Sequence, residues 1–380
     1  MGFQSSLCGI CGIQTDILRD NVSSSFPCKR TARKSPYPTL GSSTLAFRSV
    51  YSSSAFIASC QASKPSTKPE QAEDIIRSFV HQFDTTDLPS IWDPELESLC
   101  MKEVEHRGYA LEALQPYLVT GLNIAASAYH HIDDVNIKVY IAIYTAFAIY
   151  FDDAYPDDPD ALVGVPKFTK VNVDVYIFVS EIPLTSSMKH FASSEKQPTK
   201  MLDDFAGVLA EASQLFGEVT ADFIVQAVLR FMTALILEIR SKSEPRHKVD
   251  KYTMFLRELS GIAEAYAVFI FPAELPYSVY IQTLPLLRDV ICFINDIVSF
   301  YKEEADGENY NLISMLAEAN DEPKTKTLRN MVGRCMETHE RALLLLSPHK
   351  DAHGMYKEFV KGYLAYHLGA KRYRLNELNM

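Results

Sequence analysis

Tryptophan is nearly absent from this chain of 380 residues, Trp92 being the sole example, and positive charge is in short supply. The 37 Lys and Arg are outnumbered by 48 Asp and Glu, a net charge of −11. That balance argues against a nucleic-acid partner, because a phosphate backbone needs a basic surface. It leaves room for a small anion whose charge is met by divalent cations. Long hydrophobic runs are also missing: the longest, "VYIAIYTAFAIYF" (139–151), stops short of the roughly 18 residues of a membrane span and suits a buried helix. Cysteine is sparse and unpaired in pattern. "CGIC" (8–11) has the spacing of half a zinc site, but no second half follows. Cys100, Cys292 and Cys335 are scattered as free thiols in a reducing compartment would be. A cytoplasmic location is therefore expected.

What is plentiful is apolar and aromatic surface. Hydrophobic residues make up 47%, and 21 Phe with 20 Tyr can furnish a large core or an aromatic-lined pocket. Residues 1–71 differ from the rest. Positions 1–66 hold 15 Ser, seven Lys or Arg and two acids, Asp16 and Asp20. That composition fits an organelle transit peptide, a disordered tail or a misassigned upstream stretch of coding sequence, and no packed structure is expected there. Organelle targeting by residues 1–70 stays open beside the cytoplasmic reading.

From residue 72 to 380 the pattern is helical. "EDIIRSFVHQF" sets Ile75, Ile76, Phe79 and Phe83 on one face. "VNIKVYIAIYTAFAIYF" is apolar almost all round and belongs in the middle of a bundle. "TADFIVQAVLRFMTALILEIRSK" and "SVYIQTLPLLRDVICFINDIVSFYKEE" are further long helices, and roughly ten in all predict an all-α domain. Residues 160–200 break the pattern as an atypical insertion or loop, and "KVNVDVYIFVS" (170–180) within it alternates like a strand.

Adjacent acids occur at Asp133/Asp134, Asp152/Asp153, Asp157/Asp158 and Asp203/Asp204. The first pair precedes a helix and reads as a cap, and the last is expected to face water. Asp152 and Asp153 instead end a strongly apolar helix, where carboxylates oppose the macrodipole unless a cation compensates them. At 100° per residue Asp152 shares its face with Ile141, Thr145, Ala148 and Ile149, small or aliphatic groups that leave space beside it. Far along the chain, Asn295, Ser299 and Glu303 drift only about 40° per step and share another helical face. One amide, one hydroxyl and one carboxylate form a hard, oxygen-only donor set of the kind Mg²⁺ prefers. Lys302 beside them suits an anion that the same metal touches.

These residues resemble a known family. "NDIVSFYKE" resembles the second metal motif of class I terpene cyclases, and Asp152 and Asp153 look like their aspartate-rich first motif. "YHLGAKRYRL" (366–375) is similar to the end of the fungal trichodiene synthase family, where an Arg-Tyr pair contacts diphosphate. The resemblance assigns that role to Arg372 and Tyr373. "FLRELSG" resembles the segment whose arginine senses diphosphate just before a helix break, which would be Arg257. It further implies a class I terpenoid synthase bundle around a central cavity, three Mg²⁺ ions held by Asp152, Asp153, Asn295, Ser299 and Glu303, and a carbon–oxygen lyase that cyclises farnesyl diphosphate. It admits a homodimer. In "DDAYPD" an extra residue stands before Asp157, leaving its part open, and a strand at 170–180 is foreign to such a fold. Aromatic faces for a carbocation are expected from Tyr144, Phe147, Phe151, Tyr266 and Phe269, which also suit a plain core. A prenyltransferase, a diphosphate hydrolase and a degenerate non-catalytic protein remain as alternatives.

Overall fold

The computed structural model describes residues 72–154, 199–242, 248–378 and 380. The expectations for residues 1–71 and for the strand-like segment at 170–180 lie outside them, as does Asp157. Among the described residues there are twelve α-helices, four short 3₁₀ turns and no strands.

Several helices start where a side chain satisfies free N–H groups. Asp93 caps α2 (Pro94–His106), its carboxylate accepting from the amides of Glu95 at 3.0 Å and Leu96 at 3.1 Å. Ahead of α2 comes α1 (Ala72–Val80), which buries Ile75, Ile76 and Phe79 of the face its spacing predicted, and Val80 besides, while Phe83 lies past the helix end and is half-buried. After α3 (Leu111–Ser127), Asp134 accepts from the amide of Asn136 at 2.8 Å and opens α4 (Val135–Ala154), the capping role expected of that pair. Thr199 caps α5 (Lys200–Phe216), and α6 (Glu218–Lys242) follows a single glycine later. Asp204 does not face water as expected: its side chain is 11% exposed and accepts from Lys200 Nζ at 2.7 Å.

The centre of the bundle is α4, where Ile141, Ala142, Tyr144, Ala146 and Phe147 are wholly buried. It lies against α3 so closely that a Cβ on Gly121 would run into the carbonyl oxygen of Ala142. Both α4 and α6 are long and apolar enough to cross a membrane, over Val135–Asp153 and Glu218–Glu238, which corrects the expectation that no segment reaches that length. The expectation counted unbroken runs, whereas a helix tolerates a stray Lys138 or Asp152 at its ends. Within the bundle 67% and 56% of these windows are buried, as befits core helices.

The second half wraps this core. α7 (Asp250–Ser260) and α8 (Ala263–Val268) are separated by a break at Ile262, whose φ of 48° is left-handed and costs a β-branched residue about 1–2 kcal/mol. α9 (Leu284–Ala305) runs beside α8 and α11, with α10 (Leu312–Asn320), α11 (Lys324–Leu346) and α12 (Lys350–Gly369) completing the bundle. Gly362 lets α12 approach α3, since a Cβ there would strike the backbone of Ser127. The tail then turns through two 3₁₀ segments, Lys371–Tyr373 and Leu375–Leu378.

Candidate active site

α4, α9, the α7–α8 break and the tail converge on one cavity of about 200 Å³. Asp152 reaches it from α4 together with Thr145, Ala148 and Ile149 of the face that sequence spacing assigned to it, while Ile141 of that face is wholly buried and not part of the wall. Asn295 comes from α9, Arg257 from α7, and Arg372 and Tyr373 from the tail. Residues far apart in sequence are thus brought to one place. Asp153, Lys302, Ser299 and Glu303 are not part of this cavity's wall. Ser299 and Glu303 continue the Asn295 face along α9, and the Ser299 hydroxyl hydrogen-bonds Glu303. Asp153 and Lys302 act by charge, the first on Asp152 and Arg372, the second on Glu303.

The electrostatics identify where positive charge is needed. Asp152 is open to water, yet the surrounding protein raises its carboxyl above the usual range; Asp153 adds to the shift while Arg372 and Arg257 oppose it. Glu303 is half-buried, and loss of hydration pushes it up to about 7 despite the Ser299 bond and the charge of Lys302. Glu308, just beyond α9, acts on both Asp152 and Glu303 and so is a further acid near the site. Among the described residues no three His, Cys, Asp or Glu side chains gather into a ready-made metal cluster. The donors are instead spread over two helices, and Asn295 and Ser299 supply neutral oxygens. Two carboxyls held above their usual range, with oxygen-only neighbours, suit a hard divalent cation such as Mg²⁺.

Two residues central to this geometry escaped the sequence reading. Asp296, 9% exposed, accepts both its bonds from Arg257 Nε, at 2.8 and 2.9 Å. It lies in the quoted motif, but nothing in the spacing shows that its partner stands on α7. Burial lifts Asp296, and the Arg257 guanidinium counters that lift. His367 is wholly buried, and desolvation, with Arg372 nearby, pushes it down to about 3. "YHLG" carries no signal for its contact with Asn295 at 3.4 Å.

Of the five aromatic candidates, Tyr266 lines the cavity, its hydroxyl donating to Thr145 Oγ1 at 3.1 Å. Tyr144, Phe147, Phe151 and Phe269 do not: they pack around Phe205 and Phe216 in the core. Phe231, Tyr363 and Tyr366 form aromatic wall instead. Spacing along α4 shows which residues share a face, not which face a neighbouring helix covers.

Comparison with known proteins agrees with this arrangement. The family model described as trichodiene synthase matches residues 134–379. Alpha-cuprenene synthase COP6 of Coprinopsis cinerea is 32% identical over 310 residues, covering 80% of this chain and 89% of that one. Terpene synthase BipA of Cochliobolus sativus is 32% identical over 292 residues, 74% of this chain and 82% of its own. Monoterpene synthase 25 of Postia placenta is 30% identical over 318 residues, 80% and 86% of the two chains. Among solved structures, linalool/nerolidol synthase from Streptomyces clavuligerus superposes with a TM-score of 0.54 at 14% identity, covering 75% of this chain and 99% of that one. At such low identity the likeness speaks for the fold, a class I terpene synthase bundle.

Proposed function

Since the chain belongs to the trichodiene synthase family of terpene synthases, lyases that act on prenyl diphosphates, we propose that it is a Mg²⁺-dependent sesquiterpene cyclase using farnesyl diphosphate. The observation that carries this reading is one cavity in which Asp152, Asn295, Arg257 and Arg372 meet Ile124, Ala148, Phe231 and Ile291. A polar, charged lining adjoins an apolar one, as a diphosphate with a hydrocarbon chain requires.

The chemistry begins with heterolysis of the allylic C–O bond, the electron pair leaving on diphosphate. Its barrier falls when fixed charges and donors meet the negative charge as it develops. Arg257 and Arg372 supply charge at the cavity, Tyr373 a hydroxyl, and Lys302 charge from α9. Asp152, Asn295, Ser299 and Glu303 would hold Mg²⁺, which when bound supplies positive charge to the departing diphosphate oxygens. The allylic cation is then met by the faces of Tyr266, Tyr363, Tyr366 and Phe231. The aliphatic wall offers water no hydrogen-bond partner on that side, so a distal double bond attacks the cation, and transfer of a proton to the departed diphosphate ends the reaction.

Geranyl diphosphate is the second reading, favoured by the modest cavity and by a relative named as a monoterpene synthase. Incubation with Mg²⁺ and geranyl, farnesyl or geranylgeranyl diphosphate, followed by gas chromatography and mass spectrometry, tests both. A C15 hydrocarbon or alcohol from farnesyl diphosphate is expected. Turnover of geranyl diphosphate alone would replace the first reading by the second, and no cyclic or rearranged product from any of them would overturn both.

A further inference from the structure

We propose that His367 is a positioning residue, fixing the Asn295 side-chain amide so that its oxygen is the end available to the cavity. The ring of His367 is packed among three tyrosines, with centroids 4.4 Å from Tyr363, 5.0 Å from Tyr366 and 4.5 Å from Tyr373. Its Nδ1 lies 2.7 Å from the main-chain oxygen of Tyr363. A carbonyl only accepts, so Nδ1 carries the hydrogen. In a wholly buried, neutral ring Nε2 is then a bare lone pair.

That lone pair faces Asn295 at 3.4 Å. An amide oxygen there would oppose acceptor to acceptor, so the NH₂ group must occupy the position. The same NH₂ group donates to Tyr373 Oη at 3.2 Å. With its nitrogen engaged on this side, the amide directs Oδ1 the other way, where Arg257 Nη2 lies 3.5 Å off. The His367 contact is long for a hydrogen bond, and its value is orientational: an amide turned over would offer hydrogens, not an oxygen, to a cation. Outer partners that orient a donor typically change metal affinity by about 10–100-fold when lost.

The inference rests on reading Asn295 as a metal donor, so the test separates the two. Binding of inorganic diphosphate with added Mg²⁺ is measured by calorimetry on the full chain. Two substitutions divide the ring's functions: His367→Asn keeps a donor near Nδ1, whereas His367→Gln keeps an acceptor near Nε2. We expect His367→Asn to weaken Mg²⁺-dependent binding by about 10–100-fold, His367→Gln to restore most of it, and neither change to matter in an Asn295→Ala background. Equal losses in both variants, or a loss that persists without Asn295, would make His367 merely structural. Absence of Mg²⁺-dependent binding in the unsubstituted protein would remove the donor role of Asn295 and this inference with it. A reading independent of any substitution comes from ¹⁵N-histidine NMR: a bare Nε2 and a protonated Nδ1 are expected, and a proton on Nε2 would overturn the proposal.

Discussion

Glu303 shows most directly how one side chain links proton, metal and fold. Its carboxyl is raised from 4.5 to about 7 because burial disfavours its charge. The folded state therefore holds this proton to a higher pH than the unfolded state does. Its contribution to stability is complete below the unfolded value and disappears as pH rises through about 7. A cation needs the ionised form, so the slope for binding has the opposite sign. Protonation of Glu303 should weaken Mg²⁺-dependent diphosphate binding by up to about tenfold per unit below pH 7, and Glu303→Gln should bind more weakly and with a shallower slope, that of Asp152 and of diphosphate itself remaining; calorimetry across pH 5.5–8.5 checks both. Asp296 gives a second prediction. Asp296→Asn leaves Arg257 without its carboxylate in a place where its side chain is 20% exposed. Urea unfolding should show a loss of about 3 kcal/mol, the scale for removing one partner of a buried ion pair. Legibility at this scale divides along contact distance. Asn295, Ser299 and Glu303 share a face because helix geometry acts over a few residues. Asp296 and His367 take their meaning from α7 and α9, and no local pattern records those encounters.

Among the helices, the ones with long apolar faces could be drawn from sequence: α1, α4 and α6 stand where the periodicity put them, and α9 does so from Leu284 on, the stretch before it being two 3₁₀ turns. Periodicity alone runs "YTMFLRELSGIAEAYAVFIF" as one long helix, whereas the resemblance of "FLRELSG" to a segment before a helix break anticipates the break between α7 and α8. It is at Ile262, not at Gly261, that the backbone turns left-handed. Gly261 is instead required for space, since a Cβ there would crowd Cys292 Sγ at 2.8 Å and Arg257 Nη1 at 3.0 Å. The fit between helices gives a paired prediction. On α3, Gly121→Ala forces a methyl against the Ala142 backbone of α4, which cannot move aside as a flexible side chain would. It should cost about 3 kcal/mol or more and shift α4, which carries Asp152, so thermal stability and diphosphate binding should fall together. On α11, Gly333 has open space where its Cβ would go. Gly333→Ala should therefore stabilise by about 1 kcal/mol through helix propensity, with binding unchanged. Differential scanning calorimetry distinguishes the two signs, and equal effects would mean that the close approach of α3 to α4 is not rigid.

At the scale of the whole molecule, the first and last helical segments among the described residues are joined. Arg77 of α1 donates to the main-chain oxygen of Leu378 at 3.1 Å, beyond the turn that carries Arg372 and Tyr373. α1 also packs on α11 and α9, with Ile76 and Phe79 wholly buried. We therefore place the start of the functional domain at residue 72 and expect residues 1–70 to be dispensable for cyclisation. Two truncations test the boundary. Removing 1–70 should leave product yield and the melting temperature unchanged. Removing 1–83 deletes Ile75, Ile76, Phe79 and Val80, each worth about 1.5–3 kcal/mol when buried, and frees the tail from Arg77. That protein should melt earlier and bind diphosphate more weakly, because Arg372 and Tyr373 lose their anchor. If the shorter truncation already loses stability, the domain begins before residue 72. If the longer one melts earlier yet binds diphosphate as tightly as the full chain, α1 supports the core without holding the tail in place.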